Sequence, residues 1–156
     1  MTETIHATGV SIGGYGVLLT GASGAGKSDL ALRLIDRGAR LICDDRVIVE
    51  PSHPLPLLHS APNIAGMIEI RGVGIMALPH VDAIPLRLAV TLDQPVDRLP
   101  PEGRTQSIAG FDIPWLVLSP FEASTPIKIE RALKSLVDAG VVPVATAIRP
   151  KRPEGY

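Results

Sequence analysis

The chain has 156 residues, enough for one ordinary domain and too few for two. A formal net charge of −1 argues against a nucleic-acid partner held on a broad basic surface, and the single cysteine, Cys43, excludes an internal disulfide or a multi-cysteine metal site. Nothing at the start reads as a signal peptide and no apolar run is long enough to span a bilayer, so the expectation is a soluble, cytoplasmic protein with no membrane partner.

Aliphatic residues dominate and only 3% of residues are aromatic, so the core is expected to be built of Leu, Ile, Val and Ala. Ile5 to Ile12 reads as one strand, followed by a Gly13-Gly14 turn and a second strand through Thr20. Two short apolar runs joined in this way predict a hairpin. The hairpin leads into Gly21-Ala22-Ser23-Gly24-Ala25-Gly26-Lys27-Ser28, which fits G-x-x-x-x-G-K-[ST], the Walker A or phosphate-binding loop, at every position. Its glycines let backbone N–H groups curl around phosphate oxygens, and the helix that follows aims its positive end at the same anion. Lys27 has the reach for β- and γ-phosphates, and Ser28 is the type of ligand this loop uses for Mg²⁺.

Asp29 to Arg37 has helical periodicity, with Leu30, Ala31, Leu34 and Ile35 on one face and Gly38 placed to end the helix. Arg40 to Cys43 reads as a buried strand ending at Asp44-Asp45, and Val47 to Val49 continues it or pairs beside it. Fifteen prolines, clustered at 51–62, 95–101 and after 143, mark those stretches as loops or linkers. Met67 to Leu78 mixes apolar residues with Gly72 and Gly74, while Leu86 to Leu92 and Ile113 to Leu118 are further strand candidates. The strongest helix comes last. Ile129, Ala132, Leu133, Leu136 and Val137 share a face, with Thr125 as N-cap, Pro126 at the first helical position and Gly140 past the end. These elements predict a β-rich α/β domain with few helices over residues 1–148, followed by a flexible polar tail over 149–156.

A phosphate loop needs a carboxylate to organise Mg²⁺ and, in a transferase, a group to take the nucleophile's proton. Asp44-Asp45 and Asp93 both end predicted strands, where ligands of α/β proteins collect. Two adjacent carboxylates are costly unless compensated, although Asp-Asp also suits a solvated turn. Glu69 and Arg71 lie two apart on a strand and share a face; a surface ion pair beside a bulge is the alternative. His6, alone in an apolar strand, suits a structural histidine as well as a catalyst, and Cys43 suits core packing.

Three segments give these residues a context: the phosphate loop with its leading Tyr15 to Thr20, the Asp44-Asp45 pair, and Glu69-Ile70-Arg71-Gly72-Val73-Gly74-Ile75. Together they resemble the catalytic, C-terminal domain of the bacterial HPr kinase/phosphorylase family, and the last closely matches that family's signature. The spacing from His6 to Gly21 also fits, with Ala7 where the family has glycine. Asp97-Arg98-Leu99 is similar to an Asp-Arg-Leu-Gly segment, with Pro100 replacing the glycine. The resemblance implies a P-loop fold related in shape to phosphoenolpyruvate carboxykinases, with ATP and Mg²⁺ as cofactors. It implies an HPr-like phosphocarrier as protein partner and acceptor in a phosphotransferase system, and a homo-oligomer, hexameric in longer members. By position, Lys27 binds phosphate, Ser28 and Glu69 hold the metal, and Asp44 is the general base. Asp45 assists, and His6 and Arg98 belong to the catalytic set.

Three departures bear on function. The resemblance implies a short form lacking the additional N-terminal domain of longer members. Asp29 stands where a glutamate usually follows the loop's serine. A Pro-Val-Arg-Pro-Gly-Arg segment tied to reverse phosphorolysis is represented by Ser119 to Thr125, without either arginine. The expectation is a protein-serine kinase with weak or absent phosphorylase activity. A small-molecule kinase is the first alternative, but no helical Arg-x-x-Arg lid is evident. A non-catalytic nucleotide-binding regulatory module is the second, and a GTPase fits poorly without Asn-Lys-x-Asp or Asp-x-x-Gly.

Overall fold

Glu3–Ile5 (β1) and Ala7–Ile12 (β2) are separate strands, because the chain breaks at His6 where a single strand over residues 5–12 was expected. The structure, a computed structural model, describes residues 2–146; the tail expected over 149–156 lies outside them. β2 turns at Gly13-Gly14, both at positive φ (60° and 88°), and pairs antiparallel with Tyr15–Thr20 (β3). A two-residue hairpin needs that backbone. The phosphate loop then leads into Lys27–Asp36 (α1).

Arg40–Cys43 (β4) pairs antiparallel with β2, and Val47–Glu50 (β5) pairs with β1 and with Leu57–Ser60 (β6). So β5 lies away from β4, and the stretch expected to be loop between Pro51 and Pro62 contains a strand. The prolines bracket β6 without entering it, which satisfies the need for ladder N–H groups. Met67–Ile70 (β7) and Gly74–Ala77 (β8) form a separate two-stranded hairpin. Ile84–Thr91 (β9) runs parallel to β3, and Thr105–Ile108 (β10) pairs antiparallel with Phe111–Val117 (β11), which runs parallel to the end of β9. Thr125–Asp138 (α2) precedes Val144–Ala145 (β12), a short partner of β11. Neither β10 nor β12 was expected. Among the described residues, ten strands share one mixed sheet in the order β1-β5-β6-β9-β3-β2-β4, with β10 to β12 joined through β9. The β-rich α/β fold class read from the sequence is the one observed.

Side chains sort to the two faces of this sheet. Val17, Leu19, Leu41, Leu88 and Val90 pack with Leu30, Leu34, Ile129 and Leu133 of the two helices. Leu18, Ile42, Cys43, Ala89, Phe111 and Ile113 form a second core on the other face. α2 begins one residue earlier than its periodicity suggested. Ser124 is the N-cap, and the Thr125 hydroxyl donates to Ser119 O at 2.5 Å instead of capping the helix.

One irregularity sets up the site. Gly9 faces Cys43 and Val10 faces Leu41, so Ile42 is an extra residue in β4. A bulge of this kind re-aims the residues after it. Ile42 and Cys43 therefore both enter the second core, and Asp44 emerges on the helix face beside α1.

Candidate active site

The loop Gly21 to Gly26 leaves the end of β3, which lies between β9 and β2 in the sheet, and delivers its backbone to the N-terminus of α1. Gly26 is the helix N-cap with φ 93° and has no side-chain capping bond. A Cβ at Gly26 would lie 2.9 Å from the ring of Phe121. Glycine is thus required there twice, for the left-handed backbone and for the close approach. Ala22 N–H donates to Asp93 Oδ2 at 2.9 Å, which ties the start of the loop to the end of β9. Lys27 is buried, and its ammonium donates to Gly21 O at 2.7 Å and Ala22 O at 3.0 Å.

Three donors converge on Asp44. Thr8 Oγ1 and Ser28 Oγ donate to Oδ1 at 2.9 and 2.6 Å, and the Glu69 N–H donates to Oδ2 at 3.1 Å. The carboxylate end of β4 therefore meets β2, the first turn of α1 and the β7–β8 hairpin in one group, itself only 6% exposed. The hairpin is seated by Ile68, buried in the helix-side core. Asp45 has φ 66°, a left-handed backbone that aspartate tolerates, and its carboxylate lies 3.4 Å from His6 Nδ1. The break between β1 and β2 thus places His6 beside Asp45.

These elements enclose a cavity of about 540 Å³, lined by Ser23 to Ser28 of the loop (Ala25 excepted), by Asp44, Asp45, Glu69 and Arg71, and by Thr8, Asp29, Leu32, Ile70 and Phe121. That is ample for a nucleotide. The structure brings Lys27, Ser28, Asp44, Asp45 and Glu69 to this one cavity, with His6 joined through Asp45. Arg98 is exposed on the segment after β9 and does not line it. Thr8 and Phe121 were missed from sequence. Only its place two residues after His6 marks Thr8, and Phe121 lies in the segment where the resemblance is lost.

Cys43, next to Asp44, is buried. Desolvation pushes its thiol above the ordinary range, which makes it a core residue and a poor nucleophile. Among the described residues, the cavity's ionisable lining is four carboxylates (Asp29, Asp44, Asp45, Glu69) and two cations, Lys27 and Arg71. A polyphosphate entering it needs further positive charge. Among the described residues no three His, Cys, Asp or Glu side chains cluster as a metal cage. The oxygens of Ser28 and Glu69 on the cavity wall fit the one or two protein ligands that Mg²⁺ takes, with phosphate and water completing its shell.

Comparison with known proteins agrees along almost the whole chain. The family described as HPr Serine kinase C-terminal domain matches residues 1–149. A protein named HPr kinase/phosphorylase from Limosilactobacillus reuteri is 37% identical over 153 residues, covering 90% of this chain and 46% of that protein. Its counterpart of the same name from Lactobacillus acidophilus is 36% identical, with 90% and 45% covered. This chain therefore spans about half the length of the curated relatives it matches. The solved structure of the Hpr(Ser) kinase/phosphatase from Coxiella burnetii superposes with a TM-score of 0.76 at 30% identity, over 88% of this chain and 98% of that one. With the phosphate loop, the Asp44-Asp45 pair and the Glu69 segment gathered at one cavity, the chain belongs to the HPr serine kinase C-terminal domain family.

Proposed function

We propose that this chain is an ATP-dependent protein-serine kinase whose acceptor is HPr or an HPr-like phosphocarrier. The observation that carries the reading is the convergence on Asp44: the loop's Ser28 on one carboxylate oxygen and the backbone of Glu69 on the other. Mg-nucleotide binding alone uses one carboxylate beside the loop's serine, whereas Asp44, Asp45 and Glu69 all line this cavity, which leaves one free to take an acceptor's proton.

Lys27 and the loop N–H groups hold the donor phosphates, and Ser28 and Glu69 supply oxygens for the divalent ion. When bound, Mg²⁺ neutralises charge on the β- and γ-phosphates. The acceptor serine oxygen forms a bond to the γ-phosphorus as the bridging bond to ADP breaks, and Asp44 takes the serine proton. Asp45, paired with His6, borders the same opening and orients the acceptor side. The experiment is direct: ATP, Mg²⁺ and purified HPr-like phosphocarrier from the same organism, followed by mass mapping. One phosphate on a serine is expected. Nucleotide binding without any transfer would favour a regulatory module, and transfer only to small hydroxyl compounds a small-molecule kinase.

The reverse reaction is expected to be weak. It must hold a second anion, inorganic phosphate or phosphoserine, and the cavity's only cations among the described residues are Lys27 and Arg71. Phosphorylated carrier incubated with the enzyme, Mg²⁺ and inorganic phosphate should release little pyrophosphate; release as rapid as forward transfer would overturn this part.

A further inference from the structure

Phe121 is an apolar ring that the fold holds in the open. It is 68% exposed, yet the loop that carries it is braced on several sides. Arg33 of α1 donates to Glu122 O at 3.1 Å and also to Pro120 O. Thr125 Oγ1 donates to Ser119 O, and Lys128 pairs with Glu122 at 2.8 Å. Two-thirds exposed, the ring adds little to the core, and the bracing of its loop fixes where it stands.

The ring lies against Gly26, the last glycine of the phosphate loop, at a distance that any Cβ there would close to 2.9 Å. It lines the same cavity as the loop, and Leu32 and Ile70 add two more apolar side chains to that lining, in contrast to Asp44, Asp45 and Glu69. A ligand fitting both features carries phosphates and a flat π-system. We propose that Phe121 is the stacking platform for the base of the donor nucleotide, a subsite formed by its ring next to Gly26. The proposal rests on the phosphoryl-transfer reading, since it requires a nucleotide in the cavity. Stacking recognises the face of a base and suits an otherwise open site, because it needs no donor or acceptor at the base edge.

The test compares ligands with and without a base. Isothermal titration of the intact chain is run with Mg-ATP, Mg-ADP and Mg-tripolyphosphate, for the natural sequence, Phe121→Ala and Phe121→Trp. Exposure of the ring makes both substitutions safe for folding, which circular dichroism verifies. Phe121→Ala should weaken ATP and ADP by about ten-fold or more and leave tripolyphosphate within about two-fold, with Phe121→Trp restoring the nucleotides. Equal losses for all three ligands would show that the ring only shapes the loop and would overturn the proposal. So would unchanged ATP affinity, including the case where capture of the phosphocarrier falls instead. If the natural sequence binds neither ATP nor tripolyphosphate, the phosphoryl-transfer reading fails, and this one with it.

Discussion

Ser28 Oγ donates to Asp44 Oδ1 across 2.6 Å, joining the first turn of α1 to the end of β4. The phosphate loop and the acidic strand end are therefore one hydrogen-bonded unit, and Asp44 both positions Ser28 and lines the cavity that the proposed acceptor serine would enter. Asp44→Asn separates these roles. The amide oxygen still accepts from Ser28 and Thr8, its NH2 group replaces the oxygen that accepts from the Glu69 N–H, and the proposed proton acceptor is lost. Steady-state phosphorylation should show kcat reduced about 10²- to 10⁴-fold, with the KM for ATP changed far less. An unchanged kcat would remove Asp44 as the base.

Thr8 is wholly buried, and its hydroxyl is the second donor to the same oxygen, at 2.9 Å. Thr8→Val keeps the shape and leaves a buried carboxylate oxygen short of a partner. The expected cost is about 1–3 kcal/mol of stability, read as a lower midpoint in urea with an unchanged slope. Thr8→Ser should recover most of it. A midpoint equal to that of the natural sequence would show that the bond is dispensable.

What the sequence shows and hides follows from the range of each interaction. Glycines, the Lys27-Ser28 pair and helical periodicity are local, so the hairpin, the phosphate loop and both helices are legible in it. The face on which Asp44 emerges is not. Leu41, Ile42 and Cys43 are all apolar, so nothing in their pattern reveals that Ile42 is an added residue; only pairing with β2 shows it. Without that bulge, strict alternation would turn Asp44 away from Ser28. β6 escapes notice for a different reason, because prolines flank it closely on both sides. Phe121 is hidden because its contact with Gly26 joins residues remote in sequence, and no local pattern marks it.

Cys43 provides a chemical check on burial. Desolvation raises its thiol above the usual range, so the native protein keeps it protonated where an exposed cysteine would begin to ionise. A group whose pKa is raised on folding supports the native state below its unfolded pKa, and that support is lost as pH rises through the folded value. Stability should therefore decline at alkaline pH by the part this thiol contributes, and Cys43→Ala should flatten that decline. Iodoacetamide at pH 8, followed by intact mass, should label the native chain far more slowly than the urea-unfolded chain. Equal rates would contradict a buried thiol.

Helix α2 connects the loop of Phe121 to the core beneath the phosphate site. Ile129 is fully buried and packs in the same cluster as Leu30 and Leu34 of α1, and Glu130 pairs with Arg37 at 2.8 Å. Ile129→Ala leaves a cavity between the helices, with an expected loss of about 2–5 kcal/mol. Because both helices share one cluster, the loss should appear as a single cooperative transition at lower urea with an unchanged slope. Saturating Mg-ATP should then raise the midpoints of the natural sequence and the variant by the same free-energy increment, since linkage depends only on ligand concentration and affinity. A smaller increment in the variant would show that α2 packing reaches the phosphate loop and sets its affinity, in addition to supporting the fold.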